Sequence, residues 1–288
     1  MNNVLEIPKL HKVAAWNQTL LKQLIASEYF AVRYVRFPQV KIGPRWRSLN
    51  LMRVNNHLVL LDTWDRTATL QQFVAADVFG EILPDVELVI RISMRTDDPF
   101  ASYFTRETGI RMTAWTMFPD GLFPLSRFEW KPCKHAYLAN LTGCTQRRAR
   151  WKWVKAAQQM GNFYVAPSRV SHEEYARSLQ DCKWGVCLAG IGDKTRREPE
   201  FASCGMPLAL NYQPHYPFPF EAGKHYLYLP STAELELLRE TDPTPFAIES
   251  RNVWEKYFSA KGAASTLLEL VSRHCGESPR SSVLGGGV

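Results

Sequence analysis

The 288-residue sequence contains six cysteines but no C-x-x-C pair, and no histidines accompany them at zinc-ligand spacing. Cys133, Cys144, Cys182, Cys187, Cys204 and Cys275 therefore read as buried, reduced thiols. No apolar run reaches the roughly 18 residues a membrane-spanning helix needs, so no transmembrane segment is expected. Residues 1–8 lack a basic region followed by an apolar core, which leaves a cytoplasmic location as the expectation. There is no internal repeat, and no lysine-rich tail or arginine repeat marks a nucleic-acid binder.

What is present describes an ordinary globular chain. Hydrophobic residues make up 45% and charged residues 22%, enough for a real core. The length suits one large domain or two small ones. A net charge of +7 favours an anionic ligand, a condition met by nucleic acid, an acidic membrane or a nucleotide diphosphate.

Strand and helix patterns alternate along the chain. Residues 10–31 carry apolar side chains at helical spacing. His57-Leu-Val-Leu-Leu-Asp62 reads as a buried strand leading into a helix over 68–78. Strands follow at 87–93 and 110–117, giving a first α/β half over residues 1–130. Residues 119–132, rich in Pro, Gly and aromatics, read as a linker. A second half over 131–245 opens with a strand at 136–141 and a basic helix to Met160. Ser171-His-Glu-Glu174 is a capping-box sequence opening a helix to Gln180. The proline-rich 211–220 reads as a loop rimming a cleft. Residues 246–273 read as a long helix that Gly262 can interrupt and that can cross back to the first half. Residues 276–288, rich in Ser and Gly, read as a disordered tail.

The segment 182–210 concentrates the chemistry. A strand-length apolar run ends at Cys187-Leu188. Gly190 and Gly192 form a turn, and Lys194-Thr195-Arg196-Arg197 precede Glu200 and a small-residue helix that ends before Pro207. Glycines let the backbone approach a ligand closely. A helix start beside fixed positive charge suits a phosphate.

This segment resembles the donor-binding half of exostosin-like GT-B glycosyltransferases. The match rests on Cys187-Leu188, Gly190, Gly192, Thr195, Arg196-Arg197 and Glu200, and extends over about 136–210. Gly205-Met-Pro207 is one residue shorter than the usual end, and Thr142-Gly143 departs from the family's Arg-Gly, with Arg147 and Arg148 able to supply the charge. The resemblance implies an α/β GT-B-like fold, with two Rossmann-like halves facing across a cleft. It implies a hexosyl- or pentosyltransferase moving a sugar from a nucleotide-sugar donor, UDP-sugar foremost, to a glycan or glycoprotein hydroxyl. Many retaining GT-B enzymes carry two glutamates eight positions apart. Here Gly192 stands where the first would be and Glu200 is the second, which implies inversion.

Sugar transfer needs a neutralised diphosphate, an acceptor base and a water-poor site. No Asp-x-Asp triplet occurs, so a transfer without metal or other cofactor is expected, with Gly143, Arg147, Arg148, Gly192, Lys194, Thr195, Arg196, Arg197 and Glu200 around the donor. Asp62 or Asp65, at the carboxyl end of a strand, is the expected base, since open α/β sheets put ligands at that edge. Asp97 and Asp98 follow the next strand and are reserve candidates beside the acceptor; they equally resemble a turn before Pro99. Trp64 and Trp115 are candidate sugar platforms, with core filling as the alternative. A second reading is a non-enzymatic nucleic-acid binder, using the basic run 147–155 and Arg196-Arg197, with Trp151 and Trp153 stacking on bases.

Overall fold

The structure is a computed structural model. It describes residues 3–13, 15–38, 49–63, 68–92, 98–115, 129–131, 137–141, 148–164, 171–189 and 197–276. Two β-sheets organise it, six-stranded and five-stranded.

The first sheet is built from β1 (Asn3–Ile7), α1 (Ala15–Ala26), β2 (Phe30–Tyr34), β3 (Leu49–Val54), β4 (His57–Asp62), α2 (Ala68–Ala75), α3 (Val78–Glu81), β5 (Val86–Arg91), α4 (Pro99–Thr108) and β6 (Arg111–Ala114). Its strand order is β2-β1-β3-β4-β5-β6. All neighbours run parallel except β3, which runs against both β1 and β4. The cause is local. Only Asn55-Asn56 separate β3 from β4, too short for a crossover, and Asn55 accepts the left-handed φ of 54° that a tight hairpin turn demands. Asn55 also holds the turn to β1, accepting from Val4 N at 3.0 Å and donating its own N–H to Val4 O at 2.7 Å.

Strands β4 and β5 are buried on both faces, as a helix-covered sheet requires. One face meets α2, α3 and α4 through Phe73, Phe79 and Phe104. The other meets Leu20, Leu21 and Leu24 of α1.

The second sheet comprises β7 (Tyr137–Leu141), α5 (Arg148–Met160), β8 (Phe163–Tyr164), α6 (His172–Gln180), β9 (Cys182–Cys187), α7 (Arg197–Ser203), β10 (Leu208–Leu210) and β11 (Leu227–Tyr228). All its pairings are parallel, in the order β11-β10-β9-β7-β8. The capping box over Ser171 and Glu174 forms, with both hydrogen bonds made. Gly185 in β9 is required by packing. A Cβ there would lie 2.4 Å from the Phe201 ring, so its absence lets α7 sit against the strand.

The chain closes with α8 (Leu237–Glu240), α9 (Thr244–Val253), a π-helical turn over Trp254–Phe258 and α10 (Ala260–Cys275). The single long helix read over 246–273 is thus broken. Ser259 is extended at φ −59° and ψ 162° and caps α10 by accepting from Gly262 N. Gly262 is needed here, because a Cβ would meet the Lys256 carbonyl at 2.5 Å. The break redirects the chain. Val253 and Phe258 pack in the second sheet's core, whereas Ala263, Ala264, Leu267, Leu270 and Val271 pack with α1 on the first sheet.

The loop 211–220 does not present its aromatic side chains to a ligand. Tyr216, Phe218 and Phe220 are buried against Phe258. The prolines hold the segment extended, so alternate side chains point the same way, and the inward set is aromatic.

Candidate functional site

In an open parallel sheet, a ligand crevice forms at the carboxyl edge where successive connections leave in opposite directions. In the second sheet that point lies between β7 and β9. The chain goes from β7 outward to β8, then returns to the other side of β7 for β9. The segments following these two strands, 142–147 and 188–196, are the two that the sequence singles out for anion binding.

The described flank of this point is held by two residues the sequence reading missed. Arg150, on the first turn of α5, donates from Nε to Ala189 O at 2.7 Å and from Nη2 to Leu188 O at 3.0 Å. Asn211, just after β10, accepts from Ala189 N at 2.7 Å. Charge-assisted bonds to carbonyls are strong when shielded from water. The exit from β9 is therefore fixed from both sides. Arg150 was legible only as one charge among several in a basic helix.

At the far end of 188–196, α7 begins with Arg197. Its Nη1 lies 2.7 Å from Glu200 Oε2, and its guanidinium sits 4.5 Å above the Tyr175 ring. Burial opposes the charge on Arg197, but Tyr175 and Glu200 more than offset it, and the pKa rises above the ordinary arginine value. Burial likewise pushes the Tyr175 hydroxyl well up, with Arg197 opposing. Arg197 is thus a permanent, oriented cation with its side chain 35% exposed. The structure brings Arg197 and Glu200 together as one pair.

Glu198, which the sequence places in a run of charged residues, is fully buried. Its carboxylate accepts from the Tyr212 hydroxyl and, at 2.8 Å, from the Tyr216 hydroxyl. These bonds supply the partners a buried carboxylate needs and tie α7 to the 211–220 loop.

At the carboxyl edge of the first sheet three candidate residues are described, and for Trp115 and Asp98 the alternative readings, core filling and a turn before Pro99, are the ones that fit. Asp62 is 1% exposed and bound by Arg91 Nε at 2.7 Å, so its carboxylate is committed inside the sheet. Trp115 is 0% exposed within the core shared by α1 and α10, leaving no ring face for a sugar. Asp98 caps α4, accepting from Phe100 N at 2.9 Å, and lies 3.9 Å from Arg91 Nη1. A helix over 99–108 was not foreseen, although Asp98-Pro99 is a good cap and first-turn pair. Thr63, directly after β4, donates to Asn17 of α1 at 2.7 Å.

Trp64, Asp65, Asp97, Gly143, Arg147, Gly192, Lys194, Thr195 and Arg196 lie outside the described residues, and Arg148 opens α5 with its side chain undescribed. The paired tryptophans of the nucleic-acid reading separate. Trp151 is 47% exposed, and Trp153 is buried at 7% in the core. Among the described residues, no helix is long and apolar enough to cross a membrane.

The fold is that of a two-sheet α/β protein whose second sheet has its switch point between β7 and β9. No protein-family model matches the chain, and no curated protein matches it by sequence. Solved structures that overlap it include the pneumococcal O-GlcNAc transferase GtfA in complex with UDP and GlcNAc, at 15% identity and TM-score 0.42, covering 74% of this chain and 48% of that one. They include a GtfA/B complex, at 11% identity and TM-score 0.46, covering 73% of this chain and 50% of that one. They also include a sucrose-phosphate synthase from Thermosynechococcus elongatus, at 13% identity and TM-score 0.46, covering 76% of this chain and 68% of that one. The chain spans about half the length of the first two.

Proposed function

We propose that the protein is an inverting glycosyltransferase that moves a sugar from a nucleotide-sugar donor, UDP-sugar foremost, to a glycan or glycoprotein hydroxyl. One observation carries this reading. The strand order sets the carboxyl ends of β7 and β9 side by side at a single switch point, and the stretches that follow them in the sequence, 142–147 and 188–196, are the two singled out for anion binding, with Arg197 oriented at the start of α7.

In this reading the donor diphosphate lies over that point. Arg147, Arg148, Lys194, Arg196 and Arg197 neutralise it, with Thr195 and the backbone of Gly143 and Gly192 in close approach. Glu200 keeps Arg197 aimed and accepts from a donor hydroxyl. Arg150 and Asn211 hold the loop entrance. The leaving group needs no metal, because the arginines and lysine supply the charge.

The reaction needs a base across from the donor. With Asp62 committed to Arg91, Asp65 takes that role in the proposal, and Asp62 anchors the strand end from which Asp65 follows. The acceptor hydroxyl passes its proton to the carboxylate as its oxygen bonds the anomeric carbon. The bond from that carbon to the diphosphate breaks, and its electron pair leaves on the diphosphate. Attack from the opposite face inverts the centre.

The test is a thermal shift with UDP in the presence of a chelator, followed by transfer assays from UDP-sugars. Stabilisation by UDP that disappears in Arg197→Ala supports the reading. Stabilisation by a single-stranded oligonucleotide and not by UDP would replace it with nucleic-acid binding.

A further inference from the structure

Three ligand-type side chains meet at the amino edge of the first sheet, at the opposite ends of the strands from the candidate base. His57 is the first residue of β4, Glu87 lies at the start of β5, and Cys275 is the last residue of α10. Nδ1 of His57 is 3.0 Å from Oε2 of Glu87. One imidazole nitrogen, one carboxylate oxygen and the Cys275 Sγ all lie within 4.8 Å of one another. The His57 and Glu87 side chains are 18% and 28% exposed, and Cys275 packs at the margin of the core made by α1, α10 and the sheet.

We propose that His57, Glu87 and Cys275 form a structural site for a zinc-class divalent cation, which fastens the end of α10 to the first sheet. The donor set is one that zinc accepts, nitrogen, oxygen and sulfur together. A tetrahedral ion with bonds of about 2.0–2.3 Å holds its ligand atoms roughly 3.3–3.8 Å apart, so the trio needs to close by no more than about 1.5 Å. Water completes the fourth position from the exposed side. Two anionic ligands cancel the charge of the dication, which makes the site neutral and suited to partial burial.

The surroundings favour a cation in one respect and oppose it in another. The C-terminal end of α10 presents carbonyls, and one of them, His274 O, already accepts from Arg111 Nη1 at 3.2 Å. Arg111 and Arg273 are like charges nearby and oppose the ion. Without an ion, burial and the Glu87 carboxylate push the Cys275 thiol up to about 11. A bound dication reverses that balance, and the thiol releases its proton as the metal–sulfur bond forms. The site belongs to the first sheet and the proposed donor site to the second, so it is compatible with transfer that uses no metal.

Cobalt(II) is the probe, added to the chelator-stripped chain. The expected result is binding of one equivalent with a thiolate-to-cobalt charge-transfer band, displaced by zinc. Cys275→Ser abolishes the band, and His57→Gln weakens zinc binding by roughly tenfold or more. Should these variants fold poorly, the unaltered chain still decides the matter. Zinc then slows alkylation of Cys275, read by mass spectrometry of the labelled peptide. A band that survives Cys275→Ser, the absence of any metal binding, or alkylation of Cys275 at the same rate with and without zinc overturns the proposal.

Discussion

The Arg91 guanidinium, projecting from the end of β5, binds the Asp62 carboxylate at the end of β4 at 2.7 Å, with both side chains 2% exposed. A buried ion pair of this kind holds its position because neither partner tolerates the loss of the other. The desolvation each charge has suffered is offset by the pair and its further hydrogen bonds.

Removing one partner therefore leaves an uncompensated buried charge. Arg91→Ala or Asp62→Ala is expected to destabilise the fold by about 3–5 kcal/mol, and an apolar pair such as Asp62→Leu with Arg91→Met by far less. Urea unfolding checks this. If Asp62→Asn instead kept full stability and abolished transfer, Asp62 would be the base and the anchoring role would be wrong.

Gly185→Ala places a methyl group against the Phe201 ring, with a closest approach of 2.4 Å. Overpacking of this type costs about 1–3 kcal/mol. Because Phe201 lies on α7, the displacement passes to Arg197 and Glu200. Stability and UDP affinity should fall together, and Phe201→Leu in the same chain should restore part of both. Chemical denaturation alongside calorimetric UDP titration separates the two effects.

Arg197 is expected to contribute one charge-assisted contact to the diphosphate. Such contacts are worth about 1.5–3 kcal/mol, so Arg197→Ala should weaken UDP binding by about ten- to a hundredfold. Arg197→Lys keeps the charge but loses the fork that meets Glu200, and should recover only part of the affinity. Binding left unchanged by Arg197→Ala would remove it from the donor site.

Acid lability should begin just below neutrality. Burial lowers the pKa of His225 from 6.5, helped by Lys224 and opposed by Glu249 and Glu221. Its Nδ1 accepts from Glu221 N at 2.9 Å, a bond that requires the unprotonated nitrogen. His274 is lowered as well, by burial and by Arg111 and Arg273. A depressed folded pKa means the unfolded chain takes up the proton first. Stability is therefore full above about pH 6.5 and declines as the pH falls through the folded values. His225→Gln should flatten part of that decline in thermal melts between pH 7.5 and pH 5, taken in steps of about half a unit.

How much of this was legible depends on the range of the interactions. The strand at His57–Asp62, the capping box at Ser171 and Glu174 and the strand–loop–helix segment around β9 were readable because apolar periodicity and cap chemistry act over a few residues. Gly262 pointed to an interruption of the last helix, but its place at Ser259 was not readable, since Trp254–Phe258 and Ala260–Cys275 share a continuous helical pattern. Trp115 and the aromatics of 211–220 carry no local mark that distinguishes a sugar platform from core. Only the elements packed over them decide.

By itself the sequence determined the alternation of strands and helices, the basic character of the stretches after β7 and β9, and the lack of an Asp-x-Asp triplet. Those features depend on residues close in the chain. Tertiary structure alone decided that β7 and β9 lie side by side at the switch point, that Asp62 meets Arg91, that Glu198 is sealed beneath two phenols, and that His57, Glu87 and Cys275 converge. Such pairings join positions 29 residues apart for Asp62 and Arg91 and 30 for His57 and Glu87. Strand register and helix packing bring them together, and both follow from burying apolar surface across the whole chain.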